Sequence, residues 1–248
     1  MTYCVALALD QGIVMLSDTR TNAGLDNIAT FSKLAVIEKV GERVIAVMSA
    51  GNLAVTQAAV TRALEGKRAA GDTQPPTTLA NIGSMFEAAR LIGECVREVY
   101  AADGAALEAQ HYAFDANFLV AGQIRGERMR LFQIYSAGNF IEATPDTPFL
   151  QIGEHKYGKP ILDRVARYDT PLEDGVKLAC ISMDSTLRSN LSVGMPADLL
   201  VYRRDALKVA QRRRIQQDDF YFTAIREGWS NALRGAYKDL PSPPWPLG

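Results

Sequence analysis

The stretch TYCVALALDQGIVMLSD, residues 2–18, decides how the fold begins. It holds two runs rich in Val, Ile and Leu, Tyr3–Leu9 and residues 13–17, separated by the turn-like residues 10–12. Apolar runs bounded by turn residues predict strands. A parallel pair needs a crossover of about a dozen residues or more, so this short connection predicts an antiparallel hairpin. A doubly wound parallel sheet is therefore not expected.

Similar runs predict further strands along the chain. They cover residues 34–38, 44–49, 114–122, 131–136 and 198–202. Apolar residues spaced three and four apart predict helices between and after the strands. These cover residues 53–64 with Asn52 as N-cap, 79–100, 157–168, 172–187 with Pro171 in its first turn, and 217–238. This order favours an antiparallel sheet core with helices packed outside, in the α+β class.

The chain has 248 residues, for which we expect a single domain over residues 1–248. Its core would cover residues 2–204, followed by a C-terminal helix and a Pro-rich extended tail within 217–248. The break at residues 71–78, with Pro75-Pro76, separates the first two helices.

Composition excludes several classes of protein. Hydrophobic residues make up 48% of the chain and charged residues 22%, which is too apolar for a disordered chain. The net charge of -1 gives no global field to attract nucleic acid or an anionic membrane. No signal peptide or membrane span is expected, because the first apolar run ends at Asp10 and no later run approaches about 18 residues. We expect a cytoplasmic protein with neither a nucleic-acid nor a membrane partner.

The residues that usually form metal and cofactor sites are scarce. The three cysteines are far apart and fit neither a disulfide framework nor zinc-ribbon spacing. Only two histidines occur, and no metalloprotease, phosphate-loop or dinucleotide motif is present. We expect no metal and no cofactor. The basic run 212–214 is followed by acidic residues and is typical of a solvated face.

Thr2 is the first candidate for chemistry. It follows Met1, and its side chain is small enough for methionine aminopeptidase to remove that residue, so we expect the mature chain to begin at Thr2. The amine of an N-terminal threonine has a pKa of about 7.7–8.0 and can take the proton of its own hydroxyl near neutral pH. One residue would then supply both nucleophile and base. The alternative is that Thr2 simply starts a strand.

Two charged residues could assist Thr2. Asp18 ends the second predicted strand, and Lys33 opens the third. Pairing of the first two strands would place Thr2 beside Asp18. A lysine ammonium held there would lower the proton affinity of the Thr2 hydroxyl and amine, because like charge disfavours protonation. The alternative is a surface ion pair, which contributes little.

With the turn Ser49-Ala50-Gly51, these residues resemble the proteasome β-subunit superfamily of N-terminal nucleophile hydrolases. Thr2, the Asp18-x-Arg20 segment, Lys33 and Gly51 stand where that superfamily has its threonine, aspartate, lysine and oxyanion glycine.

The resemblance extends over roughly residues 2–204 and includes residues 170–176 at the start of a predicted helix. The strings at residues 2–7 and 18–24, with no propeptide expected before Thr2, look most like the bacterial Anbu (ancestral β-subunit) group.

The resemblance implies a four-layer αββα sandwich and a threonine-type endopeptidase. Thr2 Oγ would attack a peptide carbonyl, and the Gly51 N–H would stabilise the oxyanion. Lys33 would tune Thr2 and Asp18 would hold Lys33, while Ser192 matches a later serine of the superfamily. Subunits would pack through their outer helices into a large homo-oligomeric ring or spiral that takes peptides or unfolded proteins. Whether an ATP-dependent unfoldase is a partner is left open.

The sequence departs from the superfamily around the amine. A glutamate, Glu154, stands where a serine is expected, and Ser189 or Asn190 falls where an aspartate is expected. Asp184 lies more than one helical turn too early to replace that aspartate. Glu154, Ser189 and Asn190 are therefore the candidates for orienting the amine, and the loss of the aspartate predicts low activity.

Two other functions stay open from sequence alone. One is a catalytically weak or inactive assembly protein that keeps the fold. The other is an amide hydrolase that uses the same nucleophile on substrates other than peptides.

Overall fold

The computed structural model describes residues 2–22, 28–66 and 75–245. Residues 23 and 24 of the string at 18–24, part of the break at 71–78 and the last three residues of the Pro-rich tail lie outside these ranges. The strands are β1 (Tyr3–Leu9), β2 (Gly12–Asp18), β3 (Arg20–Asn22), β4 (Ile28–Thr30), β5 (Leu34–Lys39), β6 (Arg43–Gly51), β7 (Ala116–Ile124), β8 (Arg130–Ile134), β9 (Phe140–Glu142), β10 (Phe149–Gly153), β11 (Ala197–Arg203) and β12 (Val209–Ile215). The helices are α1 (Leu53–Glu65), α2 (Met85–Ala109), α3 (Lys159–Val165), α4 (Leu172–Ser189) and α5 (Phe220–Asp239).

Two five-stranded sheets form the centre of the molecule. The first has the order β10-β1-β2-β11-β12 and the second the order β5-β6-β7-β8-β9, and the paired strands are antiparallel throughout. Strands β3 and β4 form a separate ribbon. The predicted α+β class and the predicted hairpin between β1 and β2 are confirmed.

Successive side chains of β1 pack alternately into two different core clusters. Tyr3, Val5 and Leu7 pack in the cluster under α3, α4 and α5, whereas Cys4 and Ala6 pack in the cluster between the two sheets. This follows from the period of two in a strand. A third cluster lies between the second sheet and helices α1 and α2. The arrangement is the four-layer αββα sandwich that the resemblance implied.

Local caps set several helix ends, and several ends differ from the prediction: α2 extends to Ala109, α3 covers only Lys159–Val165, and α5 begins at Phe220. Asn52 caps α1 as predicted, accepting bonds from the N–H groups of Ala54 and Val55. Helix α2 begins at Met85 and not near residue 79, because the Ser84 side chain caps it. Pro171 is the N-cap of α4, one position before the predicted first turn.

Five strands were not predicted: β3, β4, β9, β10 and β12. The buried core also continues past residue 204, since Ile215 of β12 and Phe222 of α5 belong to the cluster over the first sheet. That residues 1–248 form a single domain stays a prediction. Among the helices described, none is long and apolar enough to cross a membrane.

Candidate functional site

Thr2 lies directly before β1 and is buried, with only 8% of its surface exposed. Its main chain is held by the edge strand β10. The Thr2 carbonyl accepts the N–H of Glu154 over 2.7 Å. Gly153, at φ +79°, makes the close approach: a Cβ at this position would lie 2.0 Å from the Thr2 oxygen. The main chain of Thr2 is therefore fixed by a strand that the sequence pattern did not predict.

Asp18 and Lys33 form a buried ion pair next to Thr2. Lys33 Nζ donates to Asp18 Oδ1 over 2.6 Å, and the two side chains are 3% and 0% exposed. The same Asp18 oxygen accepts the N–H of Tyr3 over 3.1 Å. A surface ion pair, the alternative considered from the sequence, is excluded by this burial.

The environment of Asp18 combines desolvation with specific partners. Burial raises the pKa of the Asp18 carboxyl, and the Lys33 ammonium opposes that rise. The N–H groups of Tyr3 and Gly194 also bond the carboxylate, with the Gly194 N–H donating to Oδ2 over 3.2 Å. Three partners, the Lys33 ammonium and the N–H groups of Tyr3 and Gly194, thus converge on a carboxylate that is 0% exposed, which orients the pair.

Lys33 has a second acceptor and a fixed main chain. Its Nζ also donates to the Arg20 carbonyl over 2.7 Å. Its own carbonyl accepts the N–H of Ser49, at 3.2 Å, from the end of β6. Lys33 therefore links the first sheet to the strand that leads to Gly51.

Gly51 ends β6 on the opposite sheet, with φ +121°. A Cβ at this residue would lie 2.2 Å from the Asp115 carbonyl oxygen, so only glycine fits. Cys4, two residues after Thr2, donates its Sγ–H to the Ser49 carbonyl over 3.7 Å. This contact sets the end of β6 across from the start of β1.

A second group of polar residues extends from β10 to the segment after α4. Asn190 Nδ2 donates to Glu154 Oε2 over 2.9 Å, and Asn190 Oδ1 accepts the N–H of Ser192 over 2.8 Å. Lys156 Nζ lies 3.5 Å from Glu154 Oε1. Ser189 is exposed at the end of α4, so the geometry favours Asn190 over Ser189 as the partner of Glu154.

Asp184 takes part in a different contact. It is buried in α4 and accepts bonds from Arg188 Nε and Arg226 Nε, over 2.9 and 2.8 Å. The Arg226 bond ties α5 to α4. The Asp184 carboxylate thus already has hydrogen-bond partners away from Thr2. This agrees with the expectation that Asp184 lies more than one helical turn too early to replace the superfamily's aspartate.

Some contacts of the site were not anticipated from the sequence. Arg20 Nη1 donates to the Leu191 carbonyl, and a Cβ at Gly194 would lie 2.1 Å from Arg20 Nε, so the guanidinium covers the segment that carries Ser192. Tyr3 Oη bonds Ser182 of α4 and Gln151 of β10. Residues so far apart in sequence are brought together only by the tertiary fold.

No cluster of three or more His, Cys, Asp or Glu side chains in the described part of the chain could hold a metal ion.

Neither a scan against protein-family models nor a search of curated proteins found a match. Solved structures match over nearly the whole chain. An Anbu (Gly-1) mutant from Hyphomicrobium sp. strain MC1 is 52% identical with a TM-score of 0.89, covering 99% of this chain and 100% of that one. Anbu (ancestral beta-subunit) from Yersinia bercovieri is 50% identical with a TM-score of 0.87, with the same two coverages.

A third match is the structure described as the helical assembly of the Anbu complex from Pseudomonas aeruginosa. It is 48% identical with a TM-score of 0.90 and covers 99% of this chain and 100% of that one. Sequence identity of about 50% to these structures over nearly the full length confirms the fold. It also confirms the resemblance to the Anbu group that residues 2–7 and 18–24 suggested. The chain belongs to the Anbu family, the ancestral β-subunits of the proteasome-like N-terminal nucleophile hydrolases.

Proposed function

We propose that the chain is a threonine peptidase subunit in which Thr2, after removal of Met1, hydrolyses peptide bonds. The observation that carries the proposal is the buried Lys33–Asp18 pair, which is bonded to the N–H of the residue directly after Thr2. A buried ion pair is expensive unless its partners are well placed, and it often contributes little net stability. Its position beside a candidate nucleophile favours a catalytic role.

In the proposed reaction, the free Thr2 amine takes the hydroxyl proton as Oγ attacks the carbonyl carbon of the peptide. The resulting oxyanion is stabilised by the Gly51 N–H. The positive charge of Lys33 favours loss of the hydroxyl proton. The C–N bond then breaks, and the amine of Thr2 returns its proton to the leaving nitrogen. Water hydrolyses the acyl ester on Thr2 and restores the hydroxyl.

Glu154 would supply the anionic group near the amine in place of the superfamily's aspartate. Its main chain already bonds Thr2, and its carboxylate is held by Asn190, which also bonds the main chain of Ser192. A carboxylate fixed in this way can orient an ammonium or accept its hydrogen bond. Ser189 has no such contact among the hydrogen bonds of the described residues.

The proposal includes self-assembly into a large homo-oligomer, which would enclose the sites and admit peptides or unfolded proteins. The helical assembly reported for the Pseudomonas aeruginosa relative supports it. A cytoplasmic location belongs to the proposal as well, and cell fractionation tests it.

An assembly protein of weak activity is the second candidate. It is favoured by Asn190, a neutral amide at the position where the superfamily has an aspartate. An amide hydrolase acting on other substrates would share the nucleophile, and turnover of small amides without cleavage of unfolded proteins would identify it.

The first test is the mass of the intact protein isolated from cells. The proposal expects loss of one methionine, leaving Thr2 with a free amine. Retention of Met1 in nearly all molecules would contradict the peptidase and favour the assembly protein.

The second test is covalent labelling with a β-lactone, followed by peptide mapping. Thr2 should carry the adduct in the parent, Thr2→Ser should still be labelled, and Thr2→Ala should not. Equal labelling of Thr2→Ala and parent would place the reaction elsewhere and rule out the threonine mechanism. Cleavage of an unfolded protein by the parent, absent in Thr2→Ala, then shows that peptides are substrates.

A further inference from the structure

The residue before Lys33 is tethered to a buried carboxylate of the first sheet. Ser32 Oγ donates to Asp198 Oδ2 over 2.7 Å. Asp198 lies in β11 and is 8% exposed. The contact joins the segment that carries Lys33 to a strand far away in sequence.

Asp198 is held in turn by Arg214 of β12. Arg214 is its cross-strand partner, and the guanidinium binds both carboxylate oxygens, Nε to Oδ1 over 2.8 Å and Nη2 to Oδ2 over 3.0 Å. Although burial acts to raise it, the pKa of Asp198 is lowered, since Arg214 and Ser32 hydrogen-bond the carboxylate.

This pair differs from ordinary surface ion pairs, which contribute little. Bidentate arginine–carboxylate pairs combine two parallel bonds with a fixed planar geometry. The Asp198 side chain is only 11% exposed although that of Arg214 is 43% exposed. The carboxylate therefore has a defined orientation when it accepts from Ser32.

The neighbouring arginine shows the opposite arrangement. Arg213 points to the other face of β12, since side chains alternate along a strand. It pairs with Asp219 at the start of α5, over 2.6 Å. Arg213 is thus a matched control: the same residue type, one position away, with no contact to the Lys33 segment among its described bonds.

We propose that Arg214 and Asp198 are positioning residues for Lys33, acting through the Ser32 hydroxyl. The inference rests on the proposed function, because it concerns the same ion pair. Phe31 N–H bonds the Thr19 carbonyl, and the Lys33 carbonyl bonds the Ser49 N–H, so main-chain contacts hold the segment at both ends. Ser32 supplies the side-chain contact between these two anchors.

Loss of the contact should let Lys33 move relative to Asp18 and Thr2. Displacement of a catalytic group by about 1 Å can lower a rate by about 10²-fold. Because Thr2 and Gly51 are left in place, we expect the chemical step to suffer and the binding of a ligand to change little.

The kinetic test compares β-lactone labelling of Thr2 in the parent, Arg214→Met, Arg214→Lys and Arg213→Met. We expect the maximal labelling rate to fall by about 10-fold or more in Arg214→Met, with the half-saturating lactone concentration unchanged. Arg214→Lys should recover part of the rate, and Arg213→Met should match the parent. If the parent is labelled and Arg214→Met shows the same maximal labelling rate, the proposal is overturned.

A second measurement does not need activity. Brief treatment of the native protein with acetic anhydride, followed by mass spectrometry, measures how protected each lysine is. The Lys33 side chain is 3% exposed, and its modification should rise several-fold in Arg214→Met and Asp198→Asn but not in Arg213→Met. Unchanged protection of Lys33 in both variants overturns the proposal.

The two measurements separate the possible failures. If the parent is not labelled by the lactone, the proposed function fails, and the acetylation result alone decides whether Arg214 positions Lys33. If Arg214→Met does not fold, Ser32→Ala, which removes only the bridging hydroxyl, replaces it in both assays. Parent-like results for Ser32→Ala would then overturn the proposal.

Discussion

Gly153 places the main chain of β10 against Thr2, which makes it a test of the site at the scale of one residue. We expect Gly153→Ala to destabilise the protein and to abolish β-lactone labelling. Its φ of +79° is costly for alanine, and its Cβ would lie 2.0 Å from the Thr2 oxygen. Urea unfolding and Thr2 labelling measure the two effects.

Gly126 is the matched control for this substitution. It has φ +83°, and a Cβ there meets nothing within 4 Å. Gly126→Ala should therefore lower the free energy of unfolding only by the backbone cost of a left-handed alanine, about 1–2 kcal/mol. Labelling of Thr2 should be normal. Equal effects of the two substitutions would show that the close approach to Thr2 does not matter.

Cys4 competes with Thr2 as a target for electrophiles, and its surroundings predict that it is inert. Burial raises the pKa of the Cys4 thiol, an effect that the nearby Lys33 charge only partly opposes. Burial also raises the pKa of Cys95 to about 11 and of Cys180 to about 12. The thiol, not the reactive thiolate, is therefore the form present at pH 8.

We accordingly expect iodoacetamide at pH 8 to leave all three cysteines unmodified in the native protein and to alkylate them in urea. Peptide mapping by mass spectrometry checks this. Native alkylation of Cys4 would contradict the burial argument and would weaken any assignment of lactone labelling to Thr2.

The site residues that could be predicted from the sequence are those carried by local patterns. Thr2, Asp18 and Lys33 lie at the ends of strands that apolar runs in the sequence predict, and the structure brings Asp18 and Lys33 within 2.6 Å. Asp198 and Arg214 carried no such signal, because their contact with Ser32 depends on how two distant strands pair.

At the scale of elements, the strands missed from the sequence are the short or polar ones. Strand β10 has five residues and ends in glycine, and β12 contains three consecutive arginines. Both are edge strands, where one side lacks a neighbour and charged residues are tolerated. Hydrophobic alternation is therefore weak, although β10 holds Thr2 and β12 supplies Arg214.

Helix α5 begins with a charged cap whose effect depends on pH. The Asp219 carboxylate accepts the N–H of Phe222 over 3.0 Å, and that bond, together with Arg213, lowers the pKa of Asp219. A carboxyl whose pKa is lower in the folded than in the unfolded state stabilises the fold at pH values above the unfolded-state pKa of about 3.9. This stabilisation is lost as the pH falls through the folded-state pKa. The cap should therefore stabilise α5 at pH 7 and lose this contribution in acid.

We expect Asp219→Ala to lower the free energy of unfolding by about 0.5–2 kcal/mol at pH 7, as other N-cap substitutions do, and by less at pH 3. Asp218→Ala, at the exposed neighbour, is the control and should have little effect. Urea unfolding can be followed by tryptophan fluorescence, because Trp229 lies on α5 and Trp245 shortly after it. A cost that stays the same at both pH values would contradict the charge argument.

At the scale of the whole molecule, the layer order could not be derived from periodicity alone. The continuous apolar run of β1 predicts a strand buried on both faces, but not which layer covers each face. The resemblance over roughly residues 2–204 implied the sandwich, and the three separate core clusters confirm it. The pairing of β10 with β1 across about 140 residues of chain is the kind of long-range contact that local patterns do not encode.

The last prediction concerns assembly, which should be independent of the proposed chemistry. The site lies at the strand ends between the sheets, whereas large apolar side chains are exposed on α5 and the tail. Examples are Leu233 at 51%, Tyr237 at 77% and Trp245 at 63% exposure. Exposed apolar surface of this kind is typical of contacts with other chains. Light scattering should therefore find a particle of many subunits for the parent and for Thr2→Ala alike.

Lys33→Met is the more demanding variant in this comparison. It leaves the Asp18 carboxylate buried without its cation, which should cost about 3–5 kcal/mol, so its fold is checked first by circular dichroism. A folded Lys33→Met protein should assemble like the parent while its Thr2 is no longer labelled. A 27.1 kDa monomer for the parent at micromolar concentration would contradict self-assembly. Loss of assembly in Thr2→Ala alone would instead show that the site and the subunit contacts are coupled.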